Sequence, residues 1–332
     1  MEVIMSSKKS KKEFTEVTMR NGLNFKAEVS EDCEKIFGIP AGKKVFSEAT
    51  GFIVKGILRN FSLEGTKKDY VVLEFIEGPF EGTCGLFEEN LLEKGFMTSE
   101  MIKEKEKKIK ESGEFVEKTT PSGDIILLDT SKKTCESLGF PSGKEVLTPF
   151  GHKVVIKGVG PVNPKTKVGE DVLWFAKKPT GELLFARDDV TGEKNLVKLG
   201  YKTREMIEER EKNLKKSGNF VKRKSVSGDK FLLDTSKETC EKFGYFPGEK
   251  IRFNTAKVAE EMDLPKEIAE IVEAIFPESG IKQLKSPTNV VGIAPSNPKT
   301  MTGQDCIWVE SITDKEKVLV IPNEIVSAIE KI

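Results

Sequence analysis

Two stretches of this chain place an aspartate ahead of a Thr-Ser pair at the end of an apolar run: Leu128-Asp129-Thr130-Ser131 and Leu233-Asp234-Thr235-Ser236. Two carboxylates brought together from such a pair can share one proton, which suits them to general acid–base hydrolysis. Here the third residue is Ser in both, and Lys132-Lys133 or Lys237-Glu238 follows. That context fits a helix start, where side-chain oxygens accept from the free N–H groups of the first turn. Capping accounts for both tripeptides and is the preferred reading. Cys33, Cys135 and Cys240 share one equivalent position a few residues on. A thiolate nucleophile needs a base beside it, and the chain has one histidine, His152, in a Phe150-Gly151-His152 turn. The three cysteines are therefore read as small buried apolar residues. Gly158-Val159-Gly160 lacks the third glycine and following helix of a phosphate loop, and its glycines fit strand ends and bulges. No catalytic residue, cofactor site or metal site is expected.

Residues suited to binding are of a different kind. Trp174 and Phe175 are neighbours on an expected strand, where successive side chains face opposite sides, so they cannot enter the same core. One of them is expected on an outer face or a barrel rim, and Trp308 occupies the matching place later in the chain. Asn163-Pro164-Lys165-Thr166 recurs as Asn297-Pro298-Lys299-Thr300. Asn-Pro initiates a turn; such a turn either fixes the chain direction or carries Lys165 and Lys299 to matching places for an acidic partner. Asp263-Leu264-Pro265 opens a helix with proline in its first turn. Its Ile268, Ile271, Val272, Ile275 and Phe276 form one apolar face, read as packing on its own module or as docking a partner.

These residues are set out by an internal repeat. Phe115-Val116 through Gly139-Phe140 returns as Phe220-Val221 through Gly244-Tyr245, at a constant offset of 105 residues. A diverged first copy runs from Glu13-Phe14 to Phe37-Gly38. The Asn-Pro-Lys-Thr turns are offset by 134, so the third copy carries about 29 additional residues, between Phe253 and Ser286. Each copy reads as a strand pair, a short helix, and then short strands divided by Gly, Pro and Asn turns. Thr98 to Gly113 and Thr203 to Gly218 read as linker helices, begun by Thr or Ser and ended by Gly. Each has a thin apolar stripe (Ile102 and Ile109; Ile207 and Leu214) and would span ~20 Å between modules. The expected organisation is a basic tail (1–12), repeat 1 (13–96), a helix (97–113), repeat 2 (114–202), a helix (203–218) and repeat 3 (219–332), with a helical insertion at about 254–285.

Composition narrows the function. Lys plus Arg and Asp plus Glu are equal at 54 each, which argues against an overall nucleic-acid binder and leaves room only for a local basic patch. Five cysteines without paired spacing do not form a disulfide framework. No stretch reaches the length of a membrane span and none reads as a leader, so a cytoplasmic setting is expected.

Gly143-Lys144-Glu145-Val146, Val154-Val155-Ile156-Lys157-Gly158-Val159, Leu173-Trp174-Phe175 and Gly181-Glu182-Leu183-Leu184-Phe185 together resemble a small SH3-like barrel of the Tudor or Agenet kind. The resemblance covers about half of each module and implies peptide binding, with Trp174, Phe175 and Phe185 as candidates for an aromatic cage. The Asp-Thr-Ser pairs resemble the Asp-Thr/Ser-Gly signature of aspartic proteases, which would imply hydrolysis by Asp129 and Asp234. The expectation is an α+β chain of three tandem repeats, each a strand pair, a short helix and an SH3-like barrel, joined by charged helices. It is expected to act as a non-enzymatic scaffold for proteins, with a filamentous or cytoskeletal partner in view. A reader of methylated peptides and a divergent aspartic hydrolase are the alternatives.

Overall fold

The structure, a computed structural model, describes residues 13–63, 65–188, 191–253, 287–311, 314–321 and 323–332. The expected insertion helix, with Ile268, Ile271, Val272, Ile275 and Phe276, lies outside the described residues. The chain divides into two compact units. The first is Met1–Cys135 with Lys157–Trp174 and Leu183–Phe185; the second is Glu136–Ile156 with Phe175–Glu182 and Ala186–Ile332. The dividing line therefore runs through copy two and not between copies.

Strands dominate, with five α-helices among the described residues, so the composition is α+β. Copy one comprises β1 (Glu13–Thr18), β2 (Asn24–Val29), α1 (Asp32–Phe37), β3 (Lys44–Phe46), β4 (Gly51–Leu63), β5 (Thr66–Phe75), β6 (Cys84–Phe87) and β7 (Met97–Thr98). Helix α2 (Ser99–Ser112) leads to copy two: β8 (Phe115–Thr119), β9 (Ile125–Asp129), α3 (Lys132–Ser137), β10 (Glu145–Leu147), β11 (Lys153–Asn163), β12 (Val168–Lys177) and β13 (Leu183–Phe185). Helix α4 (Arg204–Ser217) leads to copy three: β14 (Phe220–Ser225), β15 (Lys230–Asp234), α5 (Lys237–Phe243), β16 (Lys250–Phe253), β17 (Thr288–Asn297), β18 (Thr302–Glu310) and β19 (Lys317–Ile321). A 3-10 turn (Asn323–Ala328) and β20 (Ile329–Lys331) complete it.

The two 14-residue helices end as their sequences dictate. The Thr98 and Thr203 hydroxyls accept from Met101 N and Met206 N at 3.2 Å. Gly113 (φ 71°) and Gly218 (φ 72°) close the helices in the left-handed region.

One sheet organises each copy, and its central hairpin is buried on both sides. Val71, Val72 and Leu73 in β5 are all at 0% exposure. They alternate between two clusters: Val72 packs with Val17, Ala27 and Leu58, while Val71 and Leu73 pack with Cys33, Phe37 and Phe52. In β18, Trp308 joins Phe231 and Leu233, while Ile307 and Val309 join Cys240 and Ile251. A period-2 strand with no exposed side needs a layer on each face. The β-hairpin at the head of each copy covers one face, and the short helix with its following strands covers the other. This corrects the expectation that either Trp174 or Phe175 lies on an outer face, since their exposures are 3% and 4%.

The head hairpin meets the long strand at a single register point: Glu28 with Ile57, Asp129 with Val159, and Asp234 with Ile293. A glycine precedes each contact on the long strand. A Cβ at Gly56, Gly158 or Gly292 would lie 2.5, 2.7 or 2.7 Å from the carbonyl oxygen of Glu28, Asp129 or Asp234. Gly158 therefore sits within β11 as a crossing point and not at a strand end, one of the two settings, strand ends and bulges, expected for it. In copies one and three the pairing of the central hairpin also slips at this glycine, as a bulge does.

Gly158→Ala should lose about 2–3 kcal/mol of stability in urea unfolding, because backbone and the Leu128 side chain both block the new methyl. Gly143→Ala, at an open position with φ 81°, should lose only about 1 kcal/mol.

Candidate docking interface between modules

The Asn-Pro-Lys-Thr turn sits at the tip of the central hairpin in copies two and three. In copy two, Asn163 Oδ1 accepts from the amides of Lys165 (2.8 Å) and Thr166 (3.1 Å), which closes the turn. Lys167 then takes φ 58°. The Asn163 side-chain amide is left free to donate outward, and it reaches Glu48 O at 2.5 Å in the β3–β4 turn of copy one. Beside it, Lys165 Nζ donates to Glu77.

Copy three repeats the arrangement with copy two as its acceptor. Asn297 Oδ1 accepts from Thr300 N at 3.3 Å, and Met301 takes φ 58°. The Asn297 amide donates to Pro149 O at 3.1 Å, in the turn between β10 and β11, and the Thr302 hydroxyl donates to the same carbonyl at 3.2 Å. Pro149 and Glu48 occupy equivalent turns. Each hairpin tip thus plugs into the first turn of the preceding copy's second half.

The linker helices clamp both joints. Lys105 of α2 binds Asp171 of β12 at 2.8 and 3.0 Å, and Lys167 donates to Glu106 at 2.6 Å. At the homologous place, Arg210 of α4 binds both oxygens of Asp305 at 2.7 and 2.8 Å. The start of each helix is tied to the module before it, by Lys43 to Glu100 (3.1 Å) and by Lys144 to Glu205 (3.3 Å). The first joint lies within the first compact unit and the second within the second. The second is the tighter. Gly303 N donates to Gly200 O at 2.8 Å, and a Cβ on Gly200 would meet the Gly303 carbonyl carbon at 2.3 Å. Burial there lowers the Lys202 ammonium pKa, with Asp305 opposing that shift.

No known protein family, curated protein or solved structure matches the chain. Its function must therefore be read from the residues themselves.

Those the sequence singled out fall into three groups. Trp174, Phe175 and Trp308 are core. Trp174 packs at a tilt against Phe185 (4.9 Å) and donates to Pro161 O; Trp308 packs at a tilt against Phe231 (4.6 Å) and donates to Ala294 O; Phe175 packs at a tilt against Tyr201 (5.6 Å). Indole N–H groups satisfied in this way are the ordinary state of a buried Trp. Lys165 and Lys299 are exposed at the hairpin tips, and Lys165 is held by Glu77 of its neighbouring copy. The insertion residues lie outside the described set.

The chemical candidates do structural work. Asp129 Oδ1 and Asp234 Oδ1 accept from the amides of Ser131 (2.7 Å) and Ser236 (2.8 Å), and Asp234 Oδ2 also accepts from Thr239 Oγ1. Cys33, Cys135 and Cys240 are fully buried, and burial pushes the Cys33 thiol up to about 11. A thiol held there stays protonated and unreactive at neutral pH. No group of three His, Cys, Asp or Glu side chains suited to a metal occurs among the described residues.

The clamp residues escaped the sequence reading. A signal was present, since Lys105 and Arg210 are 105 apart while Asp171 and Asp305 share the 134 offset of the hairpin tips. Charge kept at both offsets marks a contact between the two elements.

Each Asn supplies a directional bond worth about 1 kcal/mol, and each half-exposed ion pair contributes under about 1 kcal/mol. Asn163→Ala should accelerate amide exchange in residues 47–50, and Asn297→Ala should do so in residues 148–152. Neither should alter exchange in β5 or β18, as hydrogen-exchange mass spectrometry would read.

Proposed function

We propose that the chain is a non-enzymatic scaffold that holds its modules in a fixed register for protein partners. The observation that supports this most is the recurrence of one docking arrangement at both joints: tip asparagine to turn carbonyl, helix cation to strand carboxylate, and lysine to helix start. A free tether needs none of these contacts, whereas a device that fixes spacing needs all of them. Fixed spacing gives avidity when it matches the spacing on the target.

The second half of each module is read as an SH3-like barrel. Support comes from strand order, since β7-β3-β4-β5-β6 and β20-β16-β17-β18-β19 are each a four-strand meander with its first strand paired to the last element. In copy two the single bridge between Leu147 and Lys202 stands in for that last pairing. Burial of Trp174, Phe175 and Trp308 leaves the aromatic-cage reading without a supporting surface, so partner contact is assigned to exposed polar faces. A cytoplasmic, cytoskeletal setting is part of the same reading. No described helix is long and apolar enough to cross a membrane.

The test compares the intact chain with a joint-loosened variant, Asn163→Ala, Asp171→Asn, Asn297→Ala and Asp305→Asn together, in quantitative cross-linking co-purification from native extract. Partners of the intact chain should fall about tenfold or more with the variant, while its circular dichroism spectrum is unchanged. Equal recovery from both would overturn the fixed-register reading.

A further inference from the structure

The strand that heads copy three carries a charge pattern the other copies lack. At structurally equivalent places, read from the hairpin registers, copy one has Glu16, Val17, Thr18 and Asn24, and copy two has Glu117, Lys118, Thr119 and Ile125. Copy three has Lys222, Arg223, Lys224 and Lys230. The formal charge of this four-residue set thus passes from −1 through 0 to +4 along the chain, on an unchanged backbone arrangement.

Two features turn these cations into a site. First, β19 pairs in parallel with the end of β14, Lys224 opposite Lys317 and Ser225 opposite Val318. With the β15–β17 contact, this closes β15-β14-β19-β18-β17 into a ring. Closure brings the β18–β19 turn, with Lys315 and Glu316, against the basic strand. The result is a groove of about 460 Å³ lined by Lys222, Arg223, Lys224, Lys230, Lys315 and Glu316. Second, no described carboxylate neutralises these cations, although Arg223 Nη1 donates to Lys222 O at 3.1 Å. Among the described residues no ion pair engages Lys222, Lys224, Lys230 or Lys315, and Arg223 Nε is buried without a hydrogen-bond acceptor. A guanidinium N–H left without an acceptor is unfavourable unless a ligand oxygen supplies one. The same protein pairs its lysines with carboxylates at many other places.

We propose that this groove binds a short acidic polypeptide segment through its carboxylate or phosphate oxygens. The proposal rests on the scaffold reading and names the chemistry of one partner. Five cations against one carboxylate give the attraction, and Arg223 supplies the directional contact. The size of the groove favours a few residues of peptide over a nucleic acid, whose uniform charge is matched by basic surface extending over several modules. Here the equivalent strands of the other copies carry no excess of positive charge.

The test is fluorescence anisotropy with the full chain and a labelled glutamate-rich dodecapeptide, alongside a single-stranded oligonucleotide of equal charge and vesicles containing phosphatidylserine. The peptide should bind, weaken steeply with added salt, and lose about tenfold or more in affinity with Lys222→Glu plus Lys230→Glu, both exposed positions. Lys118→Glu, at the place in copy two equivalent to Arg223, should leave affinity unchanged. If the double variant melts earlier than the parent, Lys315→Glu on the opposing turn provides the same reading. Absence of peptide binding, binding indifferent to these reversals, or tighter binding to the oligonucleotide or vesicles would each overturn the proposal. Because the joint-loosened variant keeps the groove, peptide binding by it separates failure of this site from failure of the fixed-register reading.

Discussion

The constraint on which each module depends is the contact between a strand glycine and the carbonyl of the hairpin that crosses it. Gly56, Gly158 and Gly292 each let a backbone oxygen approach to a distance that a Cβ forbids. That approach lays the head hairpin across one face of the long central hairpin. The opposite face is then free for the short helix, with its buried cysteine, and for the strands that follow. A module built in this way has two cores sharing one sheet. The shared strands lose their polar side, and runs such as Val172-Leu173-Trp174-Phe175 become buried without interruption.

A sheet buried on both faces has only its ends and its hairpin tip through which to meet other modules. The tip extends past both cores, and the turn it carries is chemically fitted to one carbonyl of the preceding copy. Copy one, whose hairpin lacks this turn, turns its polar groups back on itself instead. Arg59 there binds Asp69 (2.8 Å) and Asp32 (2.7 Å) of its own module. Backbone donation from Asn60, joined by the arginine, sets the Asp69 carboxyl below its ordinary range against the opposing effect of burial. Asp69 holds the place of Asp171 and Asp305, so one strand position serves an intramodular clasp in copy one and a clamp for the linker helix in the other two.

Much of this was legible in the residues, and the exceptions have physical causes. Helix ends were readable because capping is local: Thr98 and Gly113 act within one turn of their own positions. The Asp-Thr-Ser capping and the buried cysteines were readable for the same reason. The lengths of β11 and β12 were not, because Gly158, Gly160 and Pro161 punctuate a sequence like a turn. Only the crossing strand, some thirty residues earlier, explains glycine there as clearance. The aromatic pair misled for a related reason. Strand alternation correctly sends Trp174 and Phe175 to opposite faces, but it does not say that both faces are covered. That depends on how many layers the fold supplies, which is a property of the whole module.

Comparison among the copies also separates what the architecture needs from what it is free to vary. The crossing glycines, the core-facing residues and the joint contacts recur because altering any of them would break packing that extends beyond one residue. The outward positions of the head hairpin, such as those of Lys222 and Lys230, are exposed and under less demand, although the place of Arg223 is that of the core residue Val17 in copy one. Charge there has drifted from acidic to strongly basic without disturbing the register of a single strand pair. A groove of uncompensated cations carries a cost in self-repulsion, and nothing in the packing of copy three requires it. Retaining such a cost at one module, while its sisters stay near neutral, is the mark of a surface shaped by what it meets and not by what it holds up.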